Sequence, residues 1–131
     1  MANLSSFEEL VCWKEAASLR RNVRSVTKKF PPEEKFRLTD QLIRASRSAT
    51  ANIAEGFGRY YYQENTQFCR HSRGSLHEII DHLIVANEEE FITENELNEL
   101  KQHTLKSIAI LNGYINYLQR AKIDSSTTNN K

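Results

Sequence analysis

The chain has 131 residues, of which 39% are hydrophobic and 27% charged, and a formal net charge of +1. That balance suits one globular domain with a proper core and excludes a disordered chain. Four glycines and two prolines supply too little turn material for many short strands, so a few long helices are expected.

Charge is spread unevenly. Residues 1–77 carry thirteen Lys/Arg against eight Asp/Glu, and residues 78–131 carry five against nine. This reads either as a basic surface that attracts polyanions or as two halves that attract each other. Cys12 and Cys69 lack any paired spacing. That excludes a disulfide framework and a four-thiolate zinc site, fits a reducing compartment, and makes both residues small core hydrophobes. The N-terminal MANLSSFEEL has no signal-peptide core, and no run of about 18 apolar residues occurs, so a cytoplasmic location is expected.

The first helix is expected from Val11 to Lys29, with Ser5 or Ser6 capping its start. Its seam is Cys12, Ala16, Leu19, Val23, Val26 and Phe30, at spacings of three and four. Trp13 flanks that seam as a packing residue. Phe30-Pro31-Pro32 ends the helix, because a residue before proline is pushed out of helical space. The second helix opens at Pro32 or Glu33 and stops at Gly56 and Gly58. It carries two adjoining seams: Leu38, Leu42, Ala45, Ala49, Asn52, Gly56, and one residue on, Ile43, Ser46, Thr50, Ile53, Phe57. So wide a face implies bundle core on one flank and a second subunit on the other.

The third helix is expected from Gln63 to Glu90, with the seam Cys69, Ser72, Leu76, Ile79, Leu83, Ala86. Gly74 inside it costs about 1 kcal/mol relative to alanine, which a close helix crossing would offset. For the fourth helix, Thr93 and Glu96 form a capping box and Ile92 with Leu97 a hydrophobic staple. The seam Leu97, Leu100, Thr104, Ile108, Leu111, Ile115, Leu118 carries it to about Ala121. Short connections make the whole an all-α, antiparallel up-down-up-down four-helix bundle. Residues 1–122 form its single domain, and 123–131 a mobile polar tail.

No phosphate-binding glycine loop, nucleophile elbow or HExxH pair is present. Glu78 and His82 lie one helical turn apart, but a di-iron bundle needs Glu-x-x-His on two helices, and none occurs. No metal, cofactor or catalytic residue is therefore assigned. Asn52, Glu55, Ser75 and Glu78 are read as a buried polar network that fixes helix register. The basic candidates are Arg44, Arg47, Arg59, Arg70 and Arg73, with Tyr61 in the Tyr60-Tyr61-Tyr62 turn. Arginine forks match phosphate, and exposed tyrosine stacks on unpaired bases. Arg20, Arg21, Arg24 and Lys28 make a second basic strip on the first helix.

Ordered landmarks run through the chain: Phe7-x-x-Leu10-x-Cys12-Trp13, Phe30-Pro31-x-x-Glu34, Leu38-x-x-Gln41-x-x-Arg44, Ser48-x-x-x-Asn52-Ile53-Ala54-Glu55-Gly56-Phe57-Gly58-Arg59, Gly74-Ser75-x-x-Glu78 and Ile92-Thr93-Glu94. Over about residues 7–121 they resemble the bacterial four-helix-bundle proteins encoded in intervening sequences of 23S ribosomal RNA genes. That family includes the accessory variability determinant of diversity-generating retroelements. The resemblance implies a ribosome-associated setting and a ring-shaped homopentamer whose basic surface engages nucleic acid or a reverse transcriptase. The sequence thus reads as a non-enzymatic oligomeric bundle that binds RNA or a nucleoprotein partner, with no membrane role. The alternative is a protein–protein scaffold that binds no nucleic acid.

Overall fold

Apolar residues three and four apart make one side of each helix insoluble, and four such sides close on one another. In the computed structural model, which describes residues 4–129, the helices are α1 (Val11–Thr27), α2 (Leu38–Phe57), α3 (Tyr62–Glu88) and α4 (Glu94–Asn129). Contacts join α1 to α2, α2 to α3, α3 to α4 and α4 back to α1, with none across either diagonal among the described residues. This is the up-down-up-down ring of an all-α four-helix bundle. Every seam residue of α1, α3 and α4 is buried, with Leu19, Leu76, Ile79, Leu83 and Leu111 fully so. No helix among the described residues is long and apolar enough to cross a membrane.

The ends of the helices differ in part from expectation. Ser6 and Glu9 form a capping box around a separate 3-10 turn, Phe7–Glu9, and α1 itself starts after Leu10 without a side-chain cap. Pro32–Glu34 is likewise its own 3-10 turn, so α2 begins only at Leu38. Glu90 takes a left-handed φ of 65°. It closes α3 with bonds from Phe91 N–H to the Ala86 carbonyl (2.8 Å) and from Glu90 N–H to that of Asn87 (3.0 Å), a Schellman motif built without glycine. The Thr93–Glu96 capping box forms as read, with reciprocal bonds of 3.1 and 2.9 Å. Beyond Leu118 the seam stops but α4 continues as helix to Asn129, past the expected end near Ala121. Once a helix is nucleated, each added residue gains a backbone bond. Asn130 and Lys131, the end of the polar tail, lie outside the described residues.

Two packing expectations are corrected. An added Cβ at Gly74 would meet nothing within 4 Å, so no helix crosses there. The close approach is at Gly56, where a Cβ would stand 2.5 Å from Asn65 Oδ1 and 3.0 Å from the Asn65 carbonyl oxygen. Gly56 thus lets α3 press against α2. The doubled seam of α2 also has an explanation within one chain. Ser46, Thr50 and Ile53 on its second flank are buried among the chain's own helices, and Arg20 of α1 reaches Thr50. A bundle helix has two neighbours, and each takes one seam. Width of the apolar face therefore no longer argues for a second subunit.

Candidate nucleic-acid interface

Away from its seam α1 carries three arginines close together, Arg20, Arg21 and Arg24. Arg20, Arg21 and Arg24 line a groove against α2, whose side supplies Ile43, Ser46 and Arg47. The groove holds about 310 Å³. Four arginines meet there without a lining carboxylate, and none of the four forms an ion pair among the described residues. Glu15, the acid of α1, faces the other way, onto His103 Nε2 at 3.1 Å and Lys106 Nζ at 3.7 Å of α4.

One of these guanidinium groups is held in place. Arg20 Nη1 donates to Thr50 Oγ1 at 2.7 Å, and the Thr50 hydroxyl donates in turn to the Arg47 carbonyl at 3.1 Å. The Arg20 guanidinium also sits 5.9 Å from the centre of the Trp13 ring, which packs edge-on to Phe7 at 5.3 Å. A chain of contacts from the N-terminal turn thereby fixes one donor fork, while Arg21, Arg24 and Arg47 extend into solvent. Fixed and mobile guanidinium groups together can grip successive phosphates of a strand.

The remaining sequence candidates are dispersed. Arg44 lies on the other side of α2, 3.7 Å from Asp40, in a shallower groove with Gln41, Ser48 and Glu78. Arg59 is matched by Glu55 at 2.7 Å and Glu64 at 3.7 Å. Arg73 donates to Asn112 Oδ1 of α4 at 2.7 Å, and Arg70 is exposed on α3. Tyr61 sits at one end of the bundle, edge-on to Tyr60. Of the five arginines singled out by sequence, only Arg47 belongs to the groove. Its partners were visible as a basic strip on the first helix, but only the α1–α2 packing joins strip to Arg47.

The polar network forms in part. Asn52 Nδ2 donates to the Ser48 carbonyl and hydroxyl, at 2.9 and 3.0 Å, and Ser75 Oγ donates to Ser48 Oγ at 2.9 Å across the α2–α3 contact. Glu55 and Glu78 do not join it: each is exposed and pairs with a residue four positions on, Glu55 with Arg59 in the turn after α2 and Glu78 with His82 on α3. A carboxylate keeps its hydration at the surface and has no reason to pay for burial. No three His, Cys, Asp or Glu side chains converge as metal ligands among the described residues. Burial pushes the Cys12 and Cys69 thiols up to about 12, so neither is a thiolate near neutral pH.

Fold and site together define a helical bundle with an arginine groove along one helix pair. The chain belongs to the 23S rRNA-intervening sequence protein family, whose model matches residues 8–113. A solved protein of unknown function from the S23 ribosomal protein family of Bacteroides thetaiotaomicron is similar in fold. Its TM-score is 0.74 at 18% identity, over 80% of this chain and 98% of that one. A comparison with curated proteins finds no match.

Proposed function

We propose that this chain is a non-enzymatic, homo-oligomeric bundle that binds RNA, free or within a nucleoprotein, by its phosphates along the α1–α2 groove. The observation that carries the reading is the meeting of Arg20, Arg21, Arg24 and Arg47 with no carboxylate among the lining residues. Arginines without a neutralising carboxylate repel one another, and a strand of phosphates relieves that repulsion. The basic surface that the family resemblance implies supports a nucleic acid as the polyanion. A pentamer is the assembly implied by the resemblance, and a cytoplasmic setting goes with it.

A salt series with single-stranded RNA tests the reading. Four phosphate contacts give a slope of about −2.8 in log affinity against log salt, at about −0.7 per contact. Replacing Arg24 and Arg47 by glutamine should flatten the slope by about 1.4, while replacing Arg44 and Arg59 should leave it nearly unchanged. Absence of binding at low salt, or a slope indifferent to Arg24 and Arg47, refutes the groove and favours the scaffold reading. Sedimentation at fixed protein concentration tests the assembly separately.

A further inference from the structure

The turn between α2 and α3 closes one end of the bundle over a second cavity, of about 220 Å³. Phe57, Tyr61, Tyr62 and Asn65 line it from the α2–α3 side, and Tyr114 and Tyr117 from α4. We propose that this cavity holds a single unpaired nucleobase. The inference deepens the RNA-binding reading by adding a site for a base, on a different surface from the phosphate groove.

Size is the first argument. Clefts for drug-sized ligands start at about 300 Å³, so this one admits one planar heterocycle and little more. Its walls are mostly aromatic, with Leu4, Leu10 and Leu118 beside the rings: Tyr114 and Tyr117 lie nearly parallel, at 14°, and Tyr60 meets Tyr61 edge-on with centroids 4.8 Å apart. Tyr60 and Tyr61 are 90% and 62% exposed, an unusual placement for rings with no task in the core. Such rings stack on any base face.

Polarity separates a base from a hydrophobic side chain. Asn65 and Tyr114 are both buried, and Asn65 Nδ2 donates to the Tyr114 hydroxyl at 3.1 Å. That leaves the second Asn65 N–H and the Tyr114 O–H without an acceptor among the described hydrogen bonds, while Asn65 Oδ1 receives only the Cys69 thiol at 3.5 Å. Asn65 Oδ1 is covered by Gly56 and Cys69, so the two donors are what an acceptor on the edge of a base can meet. A leucine or phenylalanine side chain would strand them. Desolvation holds the Tyr114 hydroxyl protonated, up to about 12, so it remains a donor. Gly56 underlies the arrangement, since Asn65 rests where a Cβ would be.

Charge completes the case. Arg59 is the charged lining residue, and Glu55 and Glu64 already balance it. The cavity therefore favours a neutral occupant over a phosphate, which the α1–α2 groove takes instead.

The test is titration of the full chain with adenosine, guanosine, uridine and cytidine, followed by amide and side-chain NMR shifts. These probes carry no phosphate, so they read the cavity without the groove. Saturable shifts at the Asn65 carboxamide and in the Tyr61 and Tyr117 rings are expected. Tyr61→Ala and Tyr117→Ala, both at exposed rings, should each weaken binding about ten-fold, whereas Arg24→Gln with Arg47→Gln should leave nucleoside binding unchanged. If nucleosides bind and the RNA salt series fails, the base site stands and the groove falls; the reverse result sinks only the base site. A single-stranded oligonucleotide binding tighter than the nucleoside identifies a strand as the source, and the opposite order identifies a free nucleoside. Unsaturable shifts, shifts insensitive to both tyrosine variants, or saturation by an aromatic peptide while nucleosides leave the signals unmoved, would overturn the proposal.

Discussion

Replacing Gly56 by alanine, in the last turn of α2, and Gly74 by alanine, inside α3, makes the same chemical change at two helical positions, yet the structure assigns them opposite signs. Both substitutions relieve the cost of glycine in a helix, about 1 kcal/mol. At Gly74 nothing lies within 4 Å of the new methyl, so the gain is kept. At Gly56 the methyl would lie 2.5 Å from Asn65 Oδ1 and 3.0 Å from both the Asn65 carbonyl oxygen and Phe68 Cβ. A side-chain oxygen can move, but the backbone oxygen belongs to α3 and moves only with the helix. Overpacking of this kind costs about 1–3 kcal/mol, and dislodging Asn65 from Tyr114 about 1 more. Net destabilisation of about 1–3 kcal/mol follows for Gly56→Ala, against stabilisation of about 1 kcal/mol for Gly74→Ala. In a domain of this size 1 kcal/mol shifts Tm by about 3–5 °C. Thermal and urea unfolding by circular dichroism, at one protein concentration, would separate the variants clearly. Equal stability of the two would refute the close crossing at Gly56. Neither glycine has a positive φ, so backbone conformation does not complicate the comparison.

Ser107 Oγ is buried without a hydrogen-bond partner. Ser107→Ala should raise the urea midpoint, by about 1 kcal/mol of stability, and a loss would show that the hydroxyl is satisfied in solution. Glu90→Gly should stabilise by about 1 kcal/mol, because a left-handed φ is free for glycine alone; an unchanged Tm contradicts the Schellman turn. For pH, Cys12, Cys69 and Tyr114 hold their protons up to about 12, where the free groups lose them near 9 and 10. The native chain thus binds more protons than the unfolded chain above about pH 9, so stability is full below that pH and declines from there to about 12. Unfolding midpoints that stay level across this window would count against that burial. Iodoacetamide at neutral pH should label both cysteines in urea and neither in the native protein, as counted by mass spectrometry.

Core and fold were legible because periodicity is local. Cys12 through Phe30 on α1, or Leu97 through Leu118 on α4, repeat at three and four whatever the partner helix is, and each lies inside. What a seam does not disclose is who covers it. The width of the two α2 seams implies a second subunit on one flank, whereas α1 of the same chain covers the middle of the Ile43–Phe57 seam at Thr50. Arg47 had the same difficulty, since its role depends on which side α1 lies. Glu55 and Glu78 show a different failure. Their partners Arg59 and His82 stand four residues on, a local signal that a network across helices competes with and loses to. The base cavity was half visible in the Tyr60–Tyr62 triplet; Asn65, Tyr114 and Tyr117 join it only once α4 closes the bundle.

The inward turn of Glu15 toward His103 and Lys106 shapes how a charged strand encounters this molecule. Overall charge is only +1, so a distant polyanion feels almost no pull. Within about 8 Å, the screening distance at physiological ionic strength, it meets guanidinium groups with no acid beside them. On the proposed reading, attraction at the α1–α2 groove is therefore short-ranged. On that reading such a particle gives up rapid capture from afar in exchange for holding only strands that reach the arginine groove.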